Sequence, residues 1–483
     1  MARETTPSCA GCTVRDETIA WLQQQLMELA RVVARQEARI RSLEAQLNVS
    51  SRNSSKPPSS DPPGTEKPKR KPSGRKPGGQ PGHKGKTRDL LPPEEVDHFV
   101  PLHPDSCGKC GAQLSKGTEH PEPTRHQVTE IPPARPETTE YLLHAHSCLH
   151  CGAVTRAELP AGVPAGSFGP RLTATVALLS GGYRLSKRNI EQILADLFGV
   201  KVALGSVVKL ERVASEALAD RVEELREHVQ RAGVVHADET SWKIGGQKAW
   251  LWVAVTAFAV VFLIRRSRAG KVARELLGDA PGIVISDRYS GYAWIPVRQR
   301  QACWAHLIRD FQKIEDAGGE AAEVGEALGA HAQELFHHWH RVKAGTLKRS
   351  SFRVYAARLR NEVKELLLDG AALADEKVAG MCRKILEIES ALWTFVRVEG
   401  VEPTNNAAEQ AVRPAVIWRK TSFGTHSAAG SVFVERILST VATLRRQGRD
   451  VLDYLTEACS AALLGEPAPS LMPAEVHPLT LVA

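Results

Sequence analysis

Apolar residues recur every three or four positions between residues 19 and 47 and predict one long helix. They fill the a and d positions of four heptads, in the order Ile19, Leu22, Leu26, Leu29, Val33, Gln36, Ile40, Leu43 and Leu47. This spacing predicts a parallel coiled coil over 13–48, most simply a dimer, in which the polar Gln36 helps to fix the register. The alternative is an amphipathic helix packed on its own domain.

A second pattern begins at residue 233, where short apolar runs predict strands rather than helices. The predicted strands cover 233–238, two segments within 249–265, 282–286 and a segment near 297–302, with a helix at 270–277. This β-β-β-α-β order is the layout of an RNase H-like α/β sheet. No proline occurs from Val297 to Glu402, so a helical insertion at 312–400 is predicted between core segments 231–311 and 401–464.

Residues 168–230 show helical periodicity in three parts. Helices at 186–198 and 206–216, joined by a turn at 199–205, resemble a helix-turn-helix with Ser206 as the N-cap of the second helix. Lys187, Arg188 and Lys209 are then candidates for phosphate contacts. An ordinary helical hairpin is the alternative.

Charge is concentrated in one segment of this 483-residue chain, whose net charge is +8. Residues 48–88 hold 11 Lys and Arg against 2 Asp and Glu, so the remainder is close to neutral. A linker at 49–95, rich in Pro, Gly and basic residues, cannot bury a core and suits a polyanion. Arg75 and Lys76 resemble a minor-groove arm, with a solvated charged linker as the alternative. The Pro-rich tail at 465–483 is predicted to be disordered.

Two Cys-x-x-Cys-Gly motifs predict a zinc-ribbon-like module over 96–160. The four thiolate ligands are Cys107, Cys110, Cys148 and Cys151, and each trailing glycine permits a tight turn. Strand-like alternation at 125–131 and 138–146 predicts a hairpin between the motifs. His146 and His150 are substitute ligands, and unliganded thiols are the alternative. A further pair, Cys9 and Cys12, precedes the heptads and is a candidate for a zinc site shared between two subunits; spare thiols in a disordered tail are the alternative.

The cysteine pattern and the apolar segments also bear on location. Six of the nine cysteines form pairs with metal-ligand spacing, which suits a reducing compartment. Residues 1–20 contain no apolar signal segment, and the longest apolar stretch, 249–264, is too short to span a membrane. We therefore expect a cytoplasmic, nucleoid-associated protein that does not contact membranes.

Three acidic residues, Asp238, Asp287 and Glu409, are the candidate catalytic groups. The first two end predicted strands and the third lies at a predicted helix start, so clustered carboxylates can hold two divalent metals. Each also has a structural alternative: a turn cap, an Asx-turn and a capping box, respectively. His306 is a further candidate, to approach the metal site or a phosphate, with a satisfied core histidine as the favoured alternative. Arg413 is a candidate ion-pair partner of Glu409, and Arg419 and Lys420 are candidate DNA contacts.

Four motifs resemble the DDE transposases of the bacterial insertion-sequence family numbered sixty-six. They are His-Ala-Asp238-Glu-Thr, Ser-Asp287-Arg-Tyr-Ser-Gly-Tyr, Cys-Trp-Ala-His306-Leu and Thr-Asn-Asn-Ala-Ala-Glu409-Gln-Ala-Val-Arg-Pro. The likeness runs nearly end to end and includes the heptads and both cysteine motifs. It implies an RNase H-like catalytic domain in which Asp238, Asp287 and Glu409 bind two Mg²⁺ (or Mn²⁺).

The resemblance also implies cut-and-join chemistry at the ends of a mobile element. Its partners would be the element ends and target DNA, a second copy of the chain and accessory transposition proteins, with Zn²⁺ in the cysteine module. Two alternatives compete: a DNA-binding regulator without catalysis, and an RNase H-like nuclease that cuts without joining. An intact acidic trio argues against the regulator, because three clustered carboxylates serve no purpose there.

Overall fold

The computed structural model describes residues 10–47, 49–50, 53, 61, 88–114, 123–279 and 281–473. The chain divides into two compact units. One comprises Met1–Thr65, Thr139–Asp196 and Val200–Ala483, and the other Glu66–Thr138 with Leu197–Gly199. The protein is a multidomain α/β protein with a mixed sheet and many helices. Arg75, Lys76 and Cys9 lie outside the described residues.

The predicted N-terminal helix is present as α1, Ala10–Leu47. Its heptad positions are exposed along the described part of the helix: Leu26 keeps 65% of its surface and Leu29 62%. A single α1 therefore buries little of its apolar stripe, and the coiled coil stays a prediction.

The smaller unit has little regular structure among its described residues. Pro93–Glu95 form one 3₁₀ turn, and Leu91 exchanges hydrogen bonds with the side-chain amide of Gln127. The strand predicted at 125–131 is wrong, and of the strand predicted at 138–146 only 145–146 is present, within a strand at 145–147. No strand occurs in 123–144, where the prolines at 132, 133 and 136 remove amide donors that a ladder needs.

A short hairpin in the larger unit frames the second cysteine motif. Strand β1, Ala145–Ser147, pairs antiparallel with β2, Val154–Arg156, and the Cys148 turn lies between them. Four helices follow: α2 (Pro170–Ala177), α3 (Lys187–Phe198), α4 (Leu204–Ala217) and α5 (Ala219–Arg231). Ser206 is not an N-cap, because α4 begins at Leu204 with Ala203 in the capping position.

The predicted strand order is confirmed in a five-stranded mixed sheet. Its elements are β3 (Val234–Ile244), β4 (Gln247–Val255), β5 (Val260–Arg265), α6 (Gly270–Leu277), β6 (Ile283–Ser286) and β7 (Arg300–Ala302). The strands lie in the order β5-β4-β3-β6-β7; β3 pairs antiparallel with β4 and parallel with β6. Strand β3 continues six residues beyond its predicted end at Asp238 and turns through Gly245 and Gly246, both at positive φ.

The remaining described elements are helical. They are α7 (Trp304–Glu315), α8 (Glu320–Lys343), α9 (Arg349–Ala372), α10 (Glu376–Leu386), α11 (Thr394–Arg397), α12 (Asn406–Ser422), α13 (Ala428–Gln447) and α14 (Val451–Leu464). Helix α13 covers the edge of the sheet: Glu435, Ser439 and Thr443, one turn apart, accept the outward N–H groups of β5. This removes an open edge that would otherwise pair with another strand.

The tail is ordered as far as the structure describes it, so disorder from 465 onward is a wrong prediction for 465–473. Leu471 is fully buried in the core around the sheet, and its carbonyl oxygen accepts a hydrogen bond from Gln447. The Tyr454 hydroxyl donates to the carbonyl oxygen of Pro469 over 2.7 Å. The prolines here lie in a segment without helix or strand that packs through its apolar side chains. No helix among the described residues is both long enough and apolar enough to cross a membrane.

Candidate functional site

Asp238, on β3, and Asp287, which directly follows β6, lie side by side. In the register of β3 and β6, His236 is opposite Ile285, so two residues further along Asp238 is opposite Asp287. Side chains alternate along a strand, and both carboxylates therefore project from the same face of the sheet. The turn-cap alternative for Asp238 is wrong because β3 runs straight through it.

Glu409 reaches this face from α12. Helix α12 starts at Asn406, so Glu409 is its fourth residue and lies in the first turn. The capping-box alternative is wrong because a capping box needs the acid at the third helical residue. Asn405, at the N-cap position and only 1% exposed, binds β3 with its side chain. Its amide donates to the carbonyl oxygen of Ala237 over 2.8 Å, and its Oδ1 lies 3.2 Å from His236 Nδ1.

Helix α7 adds His306 and Cys303 to the same place. His306 Nδ1 lies 3.7 Å from Glu409 Oε1, and both atoms are buried with no hydrogen-bond partner among the described residues. The Cys303 sulfur accepts the backbone N–H of Asn405 over 3.2 Å. One ligand atom from each of Cys303, His306 and Glu409 lies within 4.8 Å of the others. His306 is therefore part of the acidic site and not an isolated core histidine.

Burial and neighbouring charge act together on Asp238. Its pKa is raised well above the ordinary value, first because the carboxyl group is buried and then because Glu239, Asp287 and Glu409 are close. Its Oδ1 accepts the backbone N–H of Glu239 over 2.9 Å. Asp287 Oδ1 accepts the N–H of Tyr289 over 2.9 Å, so the Asx-turn is present while the second oxygen stays available.

Glu239 follows Asp238 on β3 and points to the opposite face, because side chains alternate along a strand. Its side chain is 1% exposed and binds the guanidinium of Arg268 and the hydroxyl of Tyr292, each at 2.7 Å. Burial raises the pKa of Glu239 while Arg268 and Tyr292 oppose that shift. The guanidinium stacks 3.7 Å from the Tyr289 ring and 4.7 Å from the Trp250 ring. Sequence reasoning missed Arg268, which carries no motif; the acidic residue beside Asp238 was the available signal.

The acid cluster fits divalent cations. Three carboxylates face one site, and burial and neighbouring charge disfavour the anionic form of Asp238 there. Glu409 Oε1 is buried, and no donor in the part of the chain that the structure describes reaches it. Hard cations bind clustered carboxylate oxygens and would remove this electrostatic cost. A metal cation suits Glu409 better as a partner than Arg413 does. Arg413 is exposed and makes no ion pair with Glu409 in the described part of the chain.

Each cysteine motif forms the predicted turn by itself. The N–H of Gly111 donates to the Cys107 carbonyl oxygen and that of Gly152 to the Cys148 carbonyl oxygen, and both glycines have positive φ. Backbone N–H groups at these turns lower the pKa of Cys107 and of Cys148. The seven cysteines whose side chains are described are free thiols. The turns suit thiolate ligands, and zinc binding stays a prediction.

The predicted DNA contacts differ in their availability. Arg188 and Lys209 are exposed on α3 and α4, whereas Lys187 forms an ion pair with Glu211 and donates to Ser180. Arg419 donates to the carbonyl and hydroxyl oxygens of Ser241, which fixes α12 to the end of β3.

Comparisons with known proteins identify the family of the chain. The model of the family described as "Transposase IS66 family" matches residues 165–432, more than half of the chain, and a family of unknown function matches 7–89. Two relatives come from Sinorhizobium fredii. "Uncharacterized protein y4qI" is 27% identical over 288 residues, covering 52% of each chain, so this chain spans about half the length of that relative. "Uncharacterized protein y4hP" is 23% identical over 399 residues, 75% of this chain and 71% of the relative.

Proposed function

Because the chain belongs to the IS66 family of transposases, we propose that it is a DDE transposase that cuts and joins DNA at the ends of an insertion sequence. The observation that carries the proposal is the convergence of Asp238, Asp287 and Glu409 on one face of the sheet. The strand order β5-β4-β3-β6-β7, with the aspartates on adjacent central strands, supports an RNase H-like catalytic domain.

The three carboxylates would hold two Mg²⁺ or Mn²⁺ ions. Bound there, the ions would supply Lewis-acid activation of the attacking oxygen and stabilisation of the leaving oxygen in an in-line phosphoryl transfer. The chain itself positions the groups: the β3–β6 register aligns the aspartates, and Asn405 anchors the helix of Glu409. Water and then a DNA 3′ hydroxyl would attack in turn, so no nucleophilic side chain is required.

The remaining parts serve DNA handling in this proposal. Helix α1 would pair two copies through its exposed heptads, and the four motif cysteines would bind structural zinc. Contacts to element ends and target DNA would come from the basic linker with Arg75 and Lys76, and from the helical and catalytic segments. The latter candidates are Lys187, Arg188, Lys209, Arg419 and Lys420.

A strand-transfer assay tests the catalytic proposal. Purified protein with Mg²⁺ is incubated with labelled DNA carrying the ends that flank its own gene, and nicking and joining are followed on gels. Wild type should cut and join, and Asp287→Asn should bind the DNA without cutting it. Asp369→Asn, an exposed acid on α9, is the matched control and should behave as wild type.

The assay also separates the two competing functions. Binding without cutting by wild type would support a DNA-binding regulator. Cutting without joining would support a nuclease of RNase H type. Near wild-type cutting by Asp287→Asn would overturn the assignment of the site.

Metal analysis of the same preparations tests the cysteine module. We expect one zinc per chain in wild type and its loss in Cys148→Ser. Cys382→Ala alters a buried cysteine of α10 outside the motifs and should keep the zinc. A third zinc per dimer would support the shared site at Cys9 and Cys12, and two per dimer would exclude it.

A further inference from the structure

A cavity of about 260 Å³ opens beside Asp287, along helix α7. Its lining joins the acidic site to a group of basic side chains, and it consists of Asn53, Asp287, Arg288, Tyr289, His306, Arg309, Asp310 and Lys313. The proposed metal chemistry does not use the cations of this lining. Their arrangement indicates what the cavity accepts.

Helix α7 is amphipathic, and one polar stripe faces the cavity. Trp304, Leu307 and Phe311 are buried in the neighbouring helical core. His306, Arg309 and Lys313 recur at intervals of three and four residues on the cavity side. At 1.5 Å of rise per residue, Arg309 lies about 4.5 Å and Lys313 about 10 Å beyond His306 along the helix axis. The stripe leads away from the catalytic acids.

The acid on this face is already neutralised. Asp310 forms an ion pair with Arg288, and both side chains are largely buried. Arg309 and Lys313 have no hydrogen bond or ion pair with any residue that the structure describes. No carboxylate neutralises these two cations, because the three neighbouring carboxylates are assigned to metal binding. This part of the cavity therefore favours an anion.

We propose that Arg309 and Lys313 bind successive phosphates of the DNA strand that is cut, beside the scissile phosphate at Asp287. The inference rests on the proposed function, because it takes the strand to lie at the acid cluster. A polyanion approaching carboxylates needs cations on its path, and Arg and Lys side chains that bind phosphate fix the register of DNA without reading sequence. Arg309 and Lys313 are positioning residues for the reaction.

The salt dependence of binding reports how many phosphates the protein neutralises. Asp238→Asn serves as the common background so that the DNA stays intact, and affinity for the end duplex is measured between 50 and 200 mM salt. Each neutralised phosphate contributes about 0.9 to the slope of log affinity against log salt concentration. Removing one phosphate-binding cation should therefore make the loss of affinity between 50 and 200 mM salt smaller by a factor of about 3.5. Arg309→Ala and Lys313→Ala should each show this reduction, and Arg309→Lys should largely restore the slope. Lys364→Ala, an exposed lysine of α9, should match the background.

Neutral phosphates locate the two binding positions on the DNA. Methylphosphonate is placed at one position at a time within three nucleotides of the element end. The background protein should lose affinity at two adjacent positions, and Arg309→Ala should be insensitive at one of them. Variants with the slope of Lys364→Ala, or sensitive at every position, would overturn the proposal.

Cleavage by the otherwise wild-type protein separates this inference from the proposed function. If the protein cuts DNA but its Arg309 and Lys313 variants match the control, the catalytic proposal stands and the phosphate site is overturned. If the protein does not cut but still shows the position-specific losses of affinity, the phosphate site stands and the catalytic proposal is overturned. Protein that binds no end duplex would remove both.

Discussion

The side-chain amide of Asn405 donates to the carbonyl oxygen of Ala237, one residue before Asp238. This bond joins the N-terminus of the helix that carries Glu409 to the strand that carries Asp238. The same side chain meets His236, and the backbone N–H of Asn405 meets the Cys303 sulfur. Asn405 thus connects β3, α7 and α12, the three elements around the acidic site, although these bonds reach none of the carboxylates.

Replacing Asn405 with alanine should therefore impair both stability and cutting. A buried carbonyl oxygen and a buried imidazole would lose their partner, which costs about 1–3 kcal/mol of unfolding free energy. Misplacement of Glu409 should lower single-turnover cleavage by at least tenfold. Urea unfolding and gel-based cleavage measure the two effects. Asn406→Ala, the exposed neighbour at the first helical position, should leave both near wild type.

Arg268 should matter for stability because it holds a buried charge. Arg268→Ala would leave Glu239 unpaired at 1% exposure, and we expect a loss of about 3 kcal/mol. This is the lower end for a broken buried pair, because the guanidinium itself is 37% exposed. Arg266→Ala, two residues earlier and exposed, should cost under about 0.5 kcal/mol.

A double variant distinguishes charge from packing at this pair. If the unpaired Glu239 charge causes the loss, Glu239→Gln should recover much of it in the Arg268→Ala background. Equal losses in the single and double variants would instead assign the effect to the stacking of Arg268 on Tyr289 and Trp250.

His236 should make metal-free protein less stable in mild acid. Burial lowers the pKa of His236 to about 4. Between pH 6.5 and 4 the unfolded chain therefore binds a proton at His236 that the folded chain does not, and unfolding becomes easier as pH falls. The loss is at most about 2 kcal/mol from pH 6.5 to 5.

Urea unfolding of His236→Gln at several pH values measures this contribution. The difference in unfolding free energy between wild type and His236→Gln should shift in favour of the variant as pH falls from 6.5 to 5. His426→Gln, an exposed histidine, should keep the wild-type pH dependence. A difference that stays constant with pH would show that His236 titrates alike in the folded and unfolded chains.

Dimerisation through α1 can be tested with two adjacent residues of similar exposure. Leu26 is at an a position and 65% exposed, and Met27 is off the heptad seam and 59% exposed. Leu26→Asp should shift the protein from dimer to monomer in light scattering coupled to gel filtration, whereas Met27→Asp should not. Equal effects of both substitutions would argue against a heptad interface.

The sequence predicts the sheet well because its signals are local. Apolar runs ending in Asp238 and Asp287 identify adjacent strands, and the segment after Asn405 marks the helix of Glu409. The extension of β3 past Asp238 is not visible locally, since 239–241 is polar. That extension depends on pairing with β4 and on Arg268 and Tyr292 around Glu239.

Other features depend on partners that are remote in sequence. The link from Asn405 to Ala237 spans 168 residues, and a single asparagine carries no periodic signal. Residues 465–473 look like a linker by composition, yet Leu471 fills a place in the core left by α13 and α14. The sequence does not show that Asp310 pairs with Arg288, and only this ion pair reveals that Arg309 and Lys313 are left for a ligand.

The long helical segment between Asp287 and Glu409 also sets the order in which the site is completed during translation. Glu409 is synthesised 171 residues after Asp238, a delay of roughly 10–30 s at bacterial elongation rates. A nascent or prematurely terminated chain holds both aspartates and much of the sheet, but neither the third carboxylate nor the Asn405 anchor. Under the proposed function, such a fragment lacks a complete set of metal ligands, so cutting would await synthesis of the chain beyond Glu409.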